Sequence, residues 1–197
     1  MPVLDYLERL TGLLATREND RARADALLLR VASGTAEGTA DGALAAMELA
    51  RLLGEAGDPV AAFALADPGT LSSGEQAVAL VVSCFAAVRT DYPARQDATS
   101  ARSALRDRAD ASYPAMSEIG SDLLDWIVRL VGESVLHLSA VAATRAPVVR
   151  VETGVSLPST LLAFDLYADP SRAGELVERN RLGTPLVMPT RFEALAA

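Results

Sequence analysis

The stretch LAFDLYADPSRAGELVERNRLGTPLVMP, residues 162–189, holds two short helical patterns and an extended apolar run. Leu162, Ala163, Leu166 and Tyr167 stand at helical spacing and make one apolar edge. Ser156, just upstream, is placed to cap that helix, with Pro158 in its first turn, where a missing N–H leaves no hydrogen bond unmade. Asp169-Pro170 repeats the start signal, and Ala173, Leu176 and Val177 give a second helix its buried side. Asn180 closes it, because asparagine tolerates the left-handed backbone that ends many helices. Leu186 to Met188 returns to an extended apolar run, and Phe192, Ala194 and Leu195 can prolong the pairing. Before all of this, VVRVETGV (residues 148–155) alternates Val149, Val151 and Thr153 against Val148, Arg150 and Glu152, the period of a strand. The order is therefore strand, helix, helix, strand.

Outward from that unit, Arg145-Ala-Pro marks a boundary, since the residue before Pro147 is pushed out of the helical basin. Everything before it reads as helices. Leu4, Leu7, Leu10, Leu13 and Leu14 step by three and four, and Ala22, Ala26 and Leu29 with Leu27, Leu28 and Val31 make a second helix. ASGTAEGTADG, residues 32–42, reads as a flexible connector by its Gly, Ser and Thr content. The helical period resumes over residues 43–53 through Leu44, Met47, Ala50 and Leu53, until Gly54, Gly57 and Pro59 stop it. Residues 59–66 can form two turns, and DPGTLSSGE, residues 67–75, is a turn. Residues 75–89 are apolar on most sides, which predicts the central helix. Residues 94–111 make a charged, Ala-rich helix with a solvated face. Tyr113 and Pro114 lead into a long helix over residues 116–144, whose broad apolar face includes Ile119, Leu123, Trp126, Ile127, Leu130, Val131 and Leu138. The expected architecture is mainly α: a helical domain over residues 1–146, built as a bundle, followed by a small β-α-α-β unit over residues 147–197.

Composition agrees with that architecture and narrows the function. Half of the 197 residues are hydrophobic and only 5% are aromatic, a balance that favours helices packed through Ala and Leu. The net charge of −8 is unevenly placed, −7 over residues 1–146 and −1 over residues 147–197. No positive stripe is available to neutralise phosphates, so nucleic acid is not an expected partner. All eighteen basic residues are arginine, which suits bidentate interface contacts but follows equally from a coding bias. The N-terminus lacks a basic segment followed by an apolar one, and the longest apolar stretch, residues 77–88, is too short to cross a bilayer. These features predict a soluble chain made in a cytoplasm, with no membrane partner.

The same inventory argues against an enzyme. Cys84 is the only cysteine and sits in the apolar run AVALVVSCFAAV, where a thiol packs as a small core residue. His137 is the only histidine, without an acid beside it in sequence, and reads as a hydrogen-bonded packing residue. No G-x-S-x-G, phosphate-binding Gly loop, H-E-x-x-H or Cys/His cluster occurs, and no carboxylate pair stands in an apolar setting that would raise one pKa. The expectation is no catalytic residue, no metal and no cofactor.

LPSTLLAFDLYADPSRAGELVERNRLGTPLVMP resembles the C-terminal part of the phage Mu-type DNA circularisation family of tail proteins. There an L-Y-x-D segment leads through an acidic, Arg-bearing helix to an N-R dipeptide and a Pro-containing strand. It also resembles a LysM-type fold, with Ala163 and Tyr167 matching the inward pair of the first helix, Leu176 and Asn180 the second helix and its end, and Leu186 and Pro189 the returning strand. The resemblance covers about a quarter of the chain. It implies a structural role in the tail or baseplate of a tailed phage or phage-derived particle. The chain would be present in several copies around the tail axis, in contact with other tail proteins, in a virion assembled in the host cytoplasm. It equally implies an alternative, a LysM-type protein that binds peptidoglycan. Members of the tail family begin with a β-rich region where this chain has helices.

For an assembly protein the useful residues are those that set orientation against a neighbour. Arg172, Glu175, Glu178, Arg179 and Arg181 put charges of both signs on the polar side of the second short helix, and Arg179-Asn180-Arg181 is the strongest interface cluster. Trp126, the only tryptophan, reads first as a core residue within its apolar stripe and second as an interface anchor.

Overall fold

The computed structural model describes residues 2–37, 39–63 and 70–196. The protein is mainly helical, with one small two-stranded sheet. It divides into two compact units, one formed by Met1–Asp91 and Thr99–Ala140, the other by Tyr92–Ala98 and Val141–Ala197.

The first unit opens with α1 (Pro2–Leu14), α2 (Glu18–Glu37) and α3 (Ala40–Ala56), then α4 (Pro59–Phe63) and α5 (Ser73–Arg89). Most of α6 (Arg95–Met116) and α7 (Ser121–Thr144) completes it. Leu7, Leu10 and Leu14 of α1, Leu49 and Leu53 of α3 and Leu80 of α5 are fully buried. As its composition predicts, α5 is buried nearly all round, from Gln76 to Cys84 without a break. Its start is fixed by Ser72, whose backbone N–H donates to the Glu75 carboxylate at 2.8 Å and whose hydroxyl donates to the same oxygen at 2.6 Å.

The expected connector at residues 32–42 is corrected by the structure. Helix α2 runs on to Glu37 and α3 starts at Ala40, so Gly34 and Gly42 lie inside helices. A Cβ on Gly34 would stand 2.3 Å from the Gly42 nitrogen, and one on Gly42 would stand 2.8 Å from the Gly34 carbonyl carbon. These two glycines let the helices touch backbone to backbone, and the cost of glycine in a helix is offset by that packing.

Two other helix boundaries also move. The long helix expected from residue 116 begins only at Ser121, because α6 runs through Pro114 to Met116 and Gly120, at φ 133°, turns the chain between them. Only glycine adopts that backbone angle without strain. Of the two turns expected over residues 59–66, the helix over Pro59–Phe63 is present, while residues 64–69, with the first three of the following turn, lie outside the described residues; that turn's last three residues, 73–75, belong to α5.

Along α7, Ile127, Val131, Leu138 and Ala142 form the buried stripe. Trp126 stands at its edge and is 42% exposed, and His137 is exposed, so neither is the packed residue the sequence suggested. By length and composition α7 is apolar enough to cross a membrane, and 28% of its most apolar window is buried.

In the second unit β1 (Val148–Glu152) pairs antiparallel with β2 (Arg191–Leu195), Val148 opposite Leu195 and Glu152 opposite Arg191. Between them lie α8 (Ser159–Tyr167), a 3₁₀ turn at Pro170–Arg172 and α9 (Ala173–Arg179). The order strand, helix, helix, strand is thus present. The returning strand is corrected: Leu186 to Met188 is loop, with Leu186 and Val187 exposed and only Met188 buried. Pro185 and Pro189 flank that run and cannot donate to a ladder, so pairing waits for Arg191. Ser156 does not cap α8; Pro158 occupies the cap position, and the Ser159 N–H reaches the Pro185 carbonyl at 2.8 Å.

The core of this unit is small: Leu162, Ala163, Ala173, Leu176, Met188, Phe192 and Ala194, with Leu166, Tyr167 and Val177 packed against it.

Candidate functional site

Polar residues in the second unit divide into those that hold the unit together and those that face outward. Asn180 belongs to the first kind. Its Nδ2 donates to the carbonyls of Leu176 and Glu193, both at 2.8 Å, and its Oδ1 accepts from the Glu193 N–H at 2.8 Å. One side chain thereby ends α9 and fastens it to β2. Asn180 keeps φ at −90°, and the left-handed residue expected there is Arg181, at φ 52°. Tyr167 works similarly, since its hydroxyl accepts from the Leu195 N–H at 3.0 Å. Burial raises the tyrosine's pKa, against the lowering effect of that hydrogen bond.

Arg172 is also held inward. Its guanidinium lies 3.6 Å from the Tyr167 ring centre and its Nε and Nη2 donate to one Glu175 oxygen at 3.0 and 2.8 Å. The predicted interface pair Arg172 and Glu175 is therefore engaged within the unit. Asp169 accepts from the Ser171 N–H and hydroxyl at 2.9 and 2.6 Å, which fixes the 3₁₀ turn and lowers its own pKa.

Arg179 is largely covered, with its side chain 12% exposed, and its Nη2 is 3.5 Å from an Asp97 oxygen. Its Nε is buried without a hydrogen-bond partner. It sits in a polar recess of about 470 Å³ lined by Arg150, Arg179, Asn180, Arg181, Arg191 and Glu193. Sequence reasoning placed Arg179, Asn180 and Arg181 together and missed Arg150 and Arg191, which the antiparallel register brings to the same place. Arg150 faces Glu193 across the ladder, and Arg191 donates to Glu152 at 3.0 Å. Next to this recess, the Gln96 side chain accepts from the Val148 N–H at 2.7 Å, so the first turn of α6 is stitched to the start of β1. Arg150, Arg181 and Arg191 are the exposed cations of the group.

Outside the recess the unit presents an apolar rim. Phe164 is 57% and Leu186 71% exposed, and Leu161, Val155 and Val187 are exposed too. The backbone bonds Ser159 N–H to Pro185 O and Met188 N–H to Leu157 O bring the loops that carry these residues side by side.

The first unit holds Trp126, the remaining predicted interface residue. It lines an apolar groove of about 790 Å³ with Leu44, Met47 and Leu123. Leu44 and Met47 were assigned to a helix face in the sequence, but pattern alone could not say that this part of the face stays uncovered.

Burial dominates the chemistry of two other groups, Cys84 and Arg108. Cys84 is buried, and loss of solvation pushes its thiol up to about 12 despite the opposing Ser134 hydrogen bond and Arg108 charge. Arg108, its pKa lowered by burial, donates to the Ser83 hydroxyl at 2.6 Å. Among the described residues no group of three or more His, Cys, Asp or Glu could hold a metal ion. No family model matches the chain, and no curated protein matches it.

Proposed function

We propose that the chain is a structural component of the tail or baseplate of a tailed phage, or of a phage-derived particle, and that it combines a helical bundle with a LysM-like C-terminal docking module. The observation that carries this reading is the division of labour in the second unit. Asn180, Tyr167, Arg172 and Glu175 are bound inward, while Val155, Leu161, Phe164, Leu186 and Val187 face outward. An exposed apolar rim on a unit that also exposes Arg150 and Arg181 suits a protein-docking surface, with apolar area for affinity and charge for orientation. A glycan groove usually combines several aromatic platforms with hydrogen-bonding side chains, and this rim has one exposed aromatic, Phe164, among aliphatic groups. Supporting the same reading, the βααβ order and the asparagine at the end of α9 agree with the resemblance in the sequence.

In this reading the module is repeated around the tail axis, one interface being copied by rotation. Quantitative mass spectrometry of particles purified from cells that make this chain tests it, together with co-sedimentation of the purified chain with peptidoglycan. Expected are a fixed copy number per particle and no sedimentation with cell wall. Absence from particles, or saturable binding to peptidoglycan, overturns it. The double variant Phe164→Asp, Leu186→Asp changes exposed side chains only, and is expected to fold normally while its incorporation into particles falls at least tenfold.

A further inference from the structure

We propose that the groove between α3 and α7 is a receptor for one amphipathic helix of another protein, apolar on one face and basic along its flanks. This surface lies in the first unit and goes beyond the docking role given to the second.

The groove is made by one face of each helix. Ala43, Leu44 and Met47 of α3 repeat at the spacing of a single helical stripe, and Leu123 and Trp126 of α7 do the same. Leu44 is 66% exposed and Trp126 42%, so large apolar side chains line a space that no described residue fills. A second apolar recess of about 310 Å³ shares Ala43, Met47 and Leu123 with the first, which lengthens the cleft towards Thr35 and Ile119. Two apolar helix faces bounding an elongated cleft are the arrangement into which a third helix lays its own apolar face. Apart from the Trp126 indole, the side chains lining the larger recess carry no hydroxyl or amide, and in the smaller one the Thr35 and Thr39 hydroxyls donate to the Val31 and Gly34 carbonyls.

Charge decides which helix fits. Arg51 at the rim is neutralised by Glu55 at 3.2 Å, and Glu48 by Arg30 at 3.4 Å. Asp122, which lines the groove, and exposed Asp125 beside Trp126 make no ion pair among the described residues. The unit as a whole has eleven arginines against nineteen acids, so it holds the chain's entire net charge of −8. That field attracts basic flanks and opposes a second copy of the same face.

Trp126 is the only tryptophan, so its emission reports occupancy directly. The full chain is titrated with a synthetic Leu/Lys amphipathic helix and with the same peptide carrying Glu for Lys. A blue shift that saturates at one Leu/Lys peptide per chain and is absent with the Leu/Glu peptide is expected. Leu44→Glu, at an exposed position, should weaken binding by about tenfold or more by placing a charge against the apolar face, with an unchanged circular dichroism spectrum. Asp122→Arg with Asp125→Arg should abolish the preference for the basic peptide. The proposal is overturned by the absence of a saturable shift, by equal shifts with both peptides, or by Leu44→Glu binding as the parent does. It is also overturned if phosphatidylglycerol vesicles shift the emission while the peptide does not, or if native mass spectrometry shows a dimer lost on Leu44→Glu.

Discussion

Gly34 and Gly42 let α2 and α3 meet backbone to backbone in the first unit, whereas in the second Asn180 reaches from the end of α9 to β2 with hydrogen bonds of 2.8 Å. The first unit has five helices or more around an apolar α5 and needs only close approach. The second has a core of seven small or medium side chains, too few to fix the orientation of two short helices against a two-stranded ribbon. Directional bonds from Asn180, Tyr167 and Asp169 supply that orientation. The comparison teaches where polar residues carry most of the structure: around a small core they are the frame.

The strongest way to break this comparison is at the glycine contact. Gly34→Val puts side-chain atoms where the Gly42 backbone lies and should cost about 3 kcal/mol or more, since the opposing atoms are main chain and cannot rotate away. Thermal unfolding followed by circular dichroism checks it, and an unchanged Tm would show that α2 and α3 part without penalty. Asn180→Ala should cost about 2 kcal/mol, confined to the second unit, by deleting three hydrogen bonds and leaving the Glu193 N–H unpaired. Hydrogen exchange should quicken in β2 and α9 while α5 keeps its protection; equal quickening in α5 would show that the two units do not unfold separately.

Alkaline titration sharpens the contrast further. The Cys84 thiol is pushed up to about 12 by burial, so it is neutral in the folded chain over a range where the unfolded thiol ionises. The folded pKa lies above the unfolded one, and stability is therefore complete below the unfolded value and falls as pH rises towards about 12. One pH unit above the ordinary thiol pKa the loss is of the order of 1 kcal/mol. Cys84→Ala should flatten that decline, measured as urea midpoints against pH. The smallest effect belongs to the exposed pair Arg191–Glu152: Arg191→Ala should change stability by no more than about 0.5 kcal/mol. A larger loss would mean that the recess depends on this pair.

Much of this fold was legible in spacing. The strand, helix, helix, strand order, the apolar α5 and the break at Arg145-Ala-Pro follow from periods of two and 3.6 and from proline's restrictions. The stretch over residues 32–42 was misleading because Gly, Ser and Thr signal a connector locally, while in the folded protein their small size is what lets two helices pack. The run at Leu186 to Met188 misled for a related reason: apolar character does not make a strand when prolines on both sides remove the donors. Of the candidate site, the sequence placed Arg179, Asn180 and Arg181 side by side. It could not show that Asn180 and Arg172 turn inward, or that Arg150 and Arg191 arrive from two distant strands.

Periodicity and chain breakers, which act within a few residues, determined on their own that this protein is mainly helical and ends in a β-α-α-β unit. Tertiary structure alone decided which glycines are contacts, which polar groups are consumed by the fold, and that Trp126 borders an open groove. Those depend on atoms that meet only after residues far apart in sequence are brought together.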